Sequence, residues 1–207
     1  MLAQRPSKIV CVGRNYLEHA RELGNDVPSE PLIFLKPPSS LIDSGESIVL
    51  PTMSQQVEFE GEIGLVVGRR LRHVSEADAP SGIAAIVAIN DVTARDLQKR
   101  DSQWTRAKGF DTFCAVGTPR AGAGDLGALE VVTRVNGQER QRGNSAEMAF
   151  SIAFLVSYIS RIMTLEPGDL IATGTPAGVG RLAPGDTVEV DVVGLSTVTN
   201  PVAAAAL

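Results

Sequence analysis

Between Val57 and Gly68 the residues Val57, Phe59, Ile63, Leu65 and Val67 share one parity, while Glu58, Glu60 and Glu62 share the other, with Gly61 interrupting the apolar series. Successive side chains of a strand point to opposite faces, so this alternation predicts a strand with one apolar face and one face of three carboxylates. On a helix the same residues would scatter around the axis. A strand of this kind must bury its apolar face against a core. It must also accommodate three like charges spaced roughly 6.8 Å apart on the other face.

The rest of the chain supplies partners for such a strand. Lys8–Val12 and Pro31–Lys36 are short apolar runs, the second closed by Pro37 and Pro38 and followed by a Ser-, Gly- and Asp-rich segment from Ser39 to Ser47. Ile83–Ile89 is almost continuously apolar and reads as a buried strand that delivers Asn90 and Asp91 at its end. Phe113–Val116, Leu170–Ala172 and Thr187–Val193 also read as strands. Leu129–Val135 and Gln138–Arg142 form a hairpin about Asn136-Gly137, a pair that favours a type I′ turn. Helices are few: Asn15–Leu23, stopped by Gly24; Thr93–Arg100; and Met148–Met163, where apolar residues recur at helical spacing. The tail from Pro201 carries no pattern. With 20 glycines and 12 prolines among 207 residues, short strands joined by tight turns suit the chain better than a helical bundle. The expectation is an α+β, mostly β fold, one domain over residues 1–207 without internal repeats.

A net charge of −5 argues against nucleic acid as partner, because phosphate binding needs a concentrated basic surface. The arginines of Arg134–Arg142 alternate with polar and acidic residues and read as a solvated hairpin. No apolar stretch reaches the length of a membrane span, and Met1–Lys8 lacks the apolar core of a secretory signal. Cys11 and Cys114 each sit between apolar neighbours, which favours two buried free thiols and, by default, a cytoplasmic location.

Glu58, Glu60 and Glu62 on one face repel one another, and a divalent cation between two of them removes that repulsion. Oxygen-only ligands suit Mg²⁺, Mn²⁺ or Ca²⁺ rather than Zn²⁺. The competing reading is an exposed edge strand with an acidic outer face. Asp91, at the end of an apolar strand, is placed to complete a facial set of carboxylates, and equally to cap the helix predicted for Thr93–Arg100. Arg95, Gln98, Arg106 and Lys108 follow within one polar segment, and each can bind a carboxylate or oxo group. Lys108 lies between Ala107 and Gly109, which allow close approach. His19 and Glu22, three apart on a predicted helix, share a face; they can activate a water as general base, or form an idle surface pair. His73 reads as structural. The glycine-rich loop from Gly174 to Gly180 lacks the Gly-Lys-Ser/Thr ending of a phosphate loop. Its N–H groups and the Thr175 hydroxyl can instead hold a small carboxylate, unless the loop is a plain turn.

The segments GRNYLEHARE, PLIFLKP, VEFEGEIGLVVG, NDVTARDLQ, AKGFD and GDLIATGTPAGVG occur in the order found in the fumarylacetoacetate hydrolase family, which the chain resembles from about Lys8 to Pro201. The resemblance implies a mixed β-roll with few helices, usually a homodimer. It implies metal ligation by Glu60, Glu62 and Asp91, with Glu58 outside the ligand set. Lys108 falls on the family's catalytic lysine, and Thr175, with Gly174 beside it, on the substrate-contacting loop. His19 and Glu22 match the His-x-x-Glu of a lid helix in the branch similar to acylpyruvate hydrolases and oxaloacetate decarboxylases. Arg14, Arg95 and Gln98 match polar residues lining the family's pocket. The implied activity uses Mg²⁺ or Mn²⁺ on a small oxo acid: carbon–carbon cleavage of an acylpyruvate to pyruvate and a carboxylic acid, with oxaloacetate decarboxylation at the same site. An isomerase or hydratase of a 2-hydroxy-dienoate from aromatic breakdown is the alternative, and a non-catalytic, metal-stabilised binding protein a third reading.

Overall fold

The computed structural model describes residues 2, 4–18, 28–122 and 124–205 of the chain. Its strands, in chain order, are β1 (Ile9–Gly13), β2 (Leu32–Lys36), β3 (Leu41–Asp43), β4 (Ile48–Leu50), β5 (Val57–Phe59), β6 (Gly61–Val67), β7 (Ile83–Asp91) and β8 (Thr93–Ala94). They continue with β9 (Cys114–Val116), β10 (Arg120–Ala121), β11 (Glu130–Val135), β12 (Gln138–Asn144), β13 (Leu170–Ala172), β14 (Gly180–Arg181), β15 (Thr187–Val192) and β16 (Ser196–Ala204). The α-helices that lie wholly within the described residues are α1 (Arg95–Arg100), α2 (Thr105–Lys108) and α3 (Ile152–Ile162). The fold is therefore mostly β, as the turn-rich composition predicts.

An eight-stranded sheet runs in the order β2-β1-β13-β6-β7-β9-β3, with β10 also paired to β7. The pairs β1–β13 and β3–β9 are parallel, whereas β6 is antiparallel to both of its neighbours. A five-stranded sheet, β12-β11-β15-β16-β4, and a small sheet, β14-β5-β8, complete the framework. The two faces of the large sheet bury separate cores. Val10, Val12, Ile63, Leu65, Ile86 and Ala88 face α3 and the five-stranded sheet, while Ile9, Cys11, Val87, Ile89, Cys114 and Ala172 form a second cluster on the opposite parity. Both cysteines are free and buried there.

Several predicted elements change their bounds. The strand expected over Val57–Gly68 breaks at Glu60 into β5 and β6. Glu60 N–H donates to the Asn90 side chain at 3.0 Å and its carbonyl accepts from Asp91 N–H at 2.8 Å, so the backbone turns out of the large sheet. β5 then pairs with β8 and β14 instead. β8 also shortens the helix expected at Thr93–Arg100, which begins only at Arg95, whose N–H donates to Gln56 C=O. The helix expected from Met148 starts at Ile152, because the Ser151 hydroxyl caps it by accepting from Phe154 N–H. The Asn136-Gly137 turn has both residues at positive φ, 52° and 77°, as a type I′ turn requires. Residues beyond Pro201 extend β16, whose last residues pair with β4. His19, Glu22 and Gly24 lie outside the described residues. Among the described residues no helix is long and apolar enough to cross a membrane.

Candidate active site

The carboxylate face of the predicted strand is interior. β6 lies between β13 and β7, and Glu58, Glu60 and Glu62 are only 7%, 5% and 1% exposed, which removes the exposed-edge reading. Glu62 shares its face with the second core, and Asp91 extends the same parity at the end of β7. The break at Glu60 brings its side chain to the same place. One carboxylate oxygen from each of Glu60, Glu62 and Asp91 lies within 4.8 Å of the others. Gly61 separates the two glutamates because the five-stranded sheet presses against it: a Cβ there would stand 1.9 Å from Thr133 Oγ1.

Three buried cations thread this cluster. Lys108, fixed by α2, donates to Glu60 Oε2 at 2.7 Å and to Asp91 Oδ2 at 2.6 Å. Lys36, at the end of β2, donates to Asp91 Oδ1 at 2.6 Å and to Val92 C=O at 3.1 Å. Arg95 spans Glu58 Oε2 at 2.7 Å, Glu60 Oε1 at 2.5 Å and Gln98 Oε1 at 2.6 Å. Asp91 is thus a charge-pairing residue and not the helix cap it resembled; Ala94 occupies the cap position of α1. Lys36 was not singled out by sequence reasoning, and its one signal is a lysine closing the apolar run Leu32–Leu35.

Burial would lower the pKa of Lys108, but Asp91 and Glu60 outweigh it and hold the ammonium charged well above the usual lysine range. Glu62 is in the opposite position. Burial pushes its carboxyl up, the charges of Asp91 and Glu60 push the same way, and Lys108 with the Gly174 N–H only partly offset them. That N–H bond, 2.7 Å to Oε2, is made possible by Gly174 at φ +102°, packed so closely on Asn15 that a Cβ would lie 2.8 Å from the Asn15 Cβ. No cation among the described residues bonds Glu62. An oxygen-only set of three convergent carboxylates, one of them short of positive charge, fits a hard divalent cation.

Part of this cluster lines a small cleft. Glu60, Glu62, Arg95 and Lys108 form its charged wall; Arg14, Gln98 and Thr175 face them, and Phe34 and Trp104 supply an aromatic side. The Phe34 ring also lies under the Lys108 ammonium, 4.9 Å from its centroid. The Thr175 hydroxyl, expected to be open for a ligand, donates to Gly61 C=O and accepts from Gln141 Nε2. Gln141 in turn accepts from Gly61 N–H, so it locks the start of β6 to the glycine-rich loop. Arg106 stands away from the cleft, paired with Asp101 at the surface.

Residues 8–203 match the family of the fumarylacetoacetate (FAA) hydrolase C-terminal domain. A mitochondrial oxaloacetate decarboxylase from Dictyostelium discoideum is 43% identical over 197 residues, covering 92% of this chain and 90% of that protein. A mitochondrial oxaloacetate tautomerase from Arabidopsis thaliana is 45% identical over 198 residues, covering 93% and 89%. The crystal structure of 5-carboxymethyl-2-hydroxymuconate delta-isomerase from Mycobacterium smegmatis superposes with a TM-score of 0.92 at 44% identity, covering 100% of this chain and 83% of that one. By sequence and by fold alike, the chain belongs to the fumarylacetoacetate hydrolase family.

Proposed function

We propose that this protein is a divalent-metal-dependent enzyme of small 2-oxo acids that decarboxylates oxaloacetate and cleaves the carbon–carbon bond of acylpyruvates. The observation that carries this reading is the meeting of Glu60, Glu62 and Asp91 with the Lys108 ammonium, in a cluster of which Glu60, Glu62 and Lys108 line one small cleft. Glu60, Glu62 and Asp91 would hold Mg²⁺ or Mn²⁺. Such an ion supplies Lewis-acid stabilisation of negative charge developing on the 2-oxo oxygen of a bound substrate.

Lys108 does the complementary work. An ammonium has three hydrogens, and two of them go to Glu60 and Asp91, so one remains for a substrate oxygen without breaking either ion pair. Seated between those two carboxylates, it would act as a positive charge and hydrogen-bond donor beside that oxygen. In oxaloacetate, the C3–C4 bond breaks, CO₂ leaves, and the electron pair flows through C3 toward the 2-oxo oxygen that Lys108 faces; protonation at C3 then gives pyruvate. Acylpyruvate cleavage needs in addition a water activated for attack on the distal carbonyl. His19 and Glu22 are the pair assigned to it. Arg95 holds Glu60 in place, and Gln98, accepting from Arg95, keeps its amide N–H groups for the substrate.

A second reading, isomerisation or tautomerisation of an enolisable oxo acid, is favoured by the names of the Arabidopsis relative and the Mycobacterium smegmatis structure. It draws on the same charge stabilisation and needs no attacking water. The test is a substrate panel of oxaloacetate, acylpyruvates and 2-hydroxy-dienoates with Mg²⁺ or Mn²⁺, read by pyruvate release and by ultraviolet spectrum. Pyruvate is expected from the first two classes, and His19→Ala should suppress acylpyruvate cleavage while sparing decarboxylation. Spectral change without pyruvate would transfer the assignment to isomerisation; no change with any substrate would leave only a binding role.

A further inference from the structure

Strand β12 carries the charged half of the hairpin, and its Gln138, Glu139, Arg140 and Arg142 are exposed, as the sequence suggests. Gln141 departs from that pattern and is only 2% exposed. Its carboxamide reaches from the hairpin to the centre of the site. Oε1 accepts from Gly61 N–H at 3.0 Å, while Nε2 donates to Thr175 Oγ1 and to Pro176 C=O, both at 2.8 Å. The Thr175 hydroxyl closes a ring by donating to Gly61 C=O at 2.9 Å. Both backbone polar groups of Gly61 are thereby held, one by Gln141 directly and the other through Thr175.

Gly61 stands between two of the three convergent carboxylates. Its N–H belongs to the peptide plane shared with Glu60, and its C=O to the plane shared with Glu62. Fixing both planes fixes the directions in which the two glutamate side chains leave the backbone. The same ring holds the glycine-rich loop, whose Gly174 N–H donates to Glu62 Oε2 at 2.7 Å. The residue type is specific to this task. Gly61 N–H needs an acceptor and Pro176 C=O a donor, and a carboxamide supplies both, whereas a carboxylate has no donor to give. The hairpin also lies close enough to bring the amide in. A Cβ on Gly143, two residues further along β12, would stand 2.7 Å from Pro176 Cβ, and Thr133 of β11 covers the Gly61 Cα.

We propose that Gln141 is a positioning residue for the divalent cation, setting the separation of the Glu60 and Glu62 carboxylates through the two peptide planes of Gly61. The proposal rests on the metal placement given above and extends it to a residue of the outer hairpin. Calorimetric titration of the metal-free protein with Mn²⁺ tests it, at a temperature well below the melting point of every protein compared. Gln141→Met keeps the length of the side chain and removes its acceptor and its donors. It should raise the Mn²⁺ dissociation constant by roughly 10- to 100-fold, the range found for residues that orient metal ligands. Thr175→Val opens the ring at its other side with little change of shape, and it covers the case of a poorly folded methionine variant. It should weaken Mn²⁺ binding as well. In the double variant the constant should stay within about threefold of the weaker-binding single variant, because one broken bond already releases the ring. A glutamine with a merely structural role would lower the melting temperature in EDTA and leave the Mn²⁺ constant of the folded protein unchanged. That result in either single variant, or losses that multiply in the double variant, would overturn the role of Gln141 and leave the metal placement standing. Wild-type protein that takes up no Mn²⁺ would overturn the placement and this proposal together.

Discussion

Replacing Lys36 with Met tests how the carboxylate cluster is held together. The Lys36 ammonium is fully buried, takes Asp91 Oδ1 at 2.6 Å, and lies 6.0 Å from the Phe113 ring centroid. Methionine fills much the same volume without the charge. Removing one partner of a buried ion pair costs about 3–5 kcal/mol, because the other charge stays buried without compensation. Asp91 keeps Lys108 on Oδ2 at 2.6 Å, which places the cost at the low end, about 3 kcal/mol. For a chain of this size that corresponds to a fall in melting temperature of about 6–12 °C. The effect should depend on metal. A divalent cation on Glu60, Glu62 and Asp91 supplies the charge that Lys36 no longer gives, so the difference measured in EDTA should shrink to less than half in saturating Mn²⁺. Calorimetric melts of wild type and K36M, each in both buffers, provide the four numbers. A K36M protein that melts with the wild type in EDTA would refute the compensation role of Lys36. An equal deficit in both buffers would refute the placement of the cation.

Two further perturbations probe other charges. Burial, with Asp91 and Glu60 beside it, makes an ionised Glu62 costly in the metal-free protein. Because a carboxyl with a raised folded pKa stabilises only while protonated, E62Q in EDTA should melt at or above wild type at pH 7, the advantage fading as pH falls into the usual carboxylate range. The same variant should lose at least about 100-fold in Mn²⁺-dependent turnover, and a lower melting temperature in EDTA would contradict the electrostatic account. At Asp169, burial acts to raise the carboxyl pKa, but the Lys8 ammonium, the Glu166 N–H and the Ser7 hydroxyl outweigh it and hold it below the usual value. That stabilisation is present above the ordinary carboxylate pKa of about 3.9 and disappears as pH falls through the depressed native one. D169N should therefore melt below wild type at pH 7 and converge with it in acid; a gap independent of pH would show that packing, and not charge, is what Asp169 contributes.

What the sequence reveals of the fold follows from how local each determinant is. The parity of Ile63, Leu65 and Val67 is written in consecutive residues, and those residues do face one core together. The break at Glu60 is not, because it is set by the side chain of Asn90, 30 positions away, and by strands β8 and β14 drawing β5 aside. The start of α3 is local, because the Ser151 hydroxyl caps it and outranks the apolar spacing that begins at Met148. Pro201 disguised β16, since proline argues against a strand interior; the strand tolerates it and its last residues, Val202 to Ala204, pair with β4.

The site divides along a similar line. Glu60, Glu62, Asp91 and Lys108 are residue types that metal and oxo-acid chemistry requires, so a linear reading finds them. Their charge compensation depends on which carboxylate oxygen each cation occupies, and that is a property of the sheet order. Lys36 reaches Asp91 across a separation of 55 residues, with β1, β13 and β6 lying between their strands in the sheet. In sequence it is only a lysine at the end of an apolar run, where such a side chain ordinarily carries its charge out to water. Once Lys36, Lys108 and Arg95 are each assigned a carboxylate, Glu62 is the carboxylate of the three that no cation among the described residues bonds. A divalent cation held by Glu60, Glu62 and Asp91 would supply the positive charge that Glu62 lacks, and the sheet order, by spending Lys36 and Lys108 on Asp91 and Glu60, is what leaves that place for it.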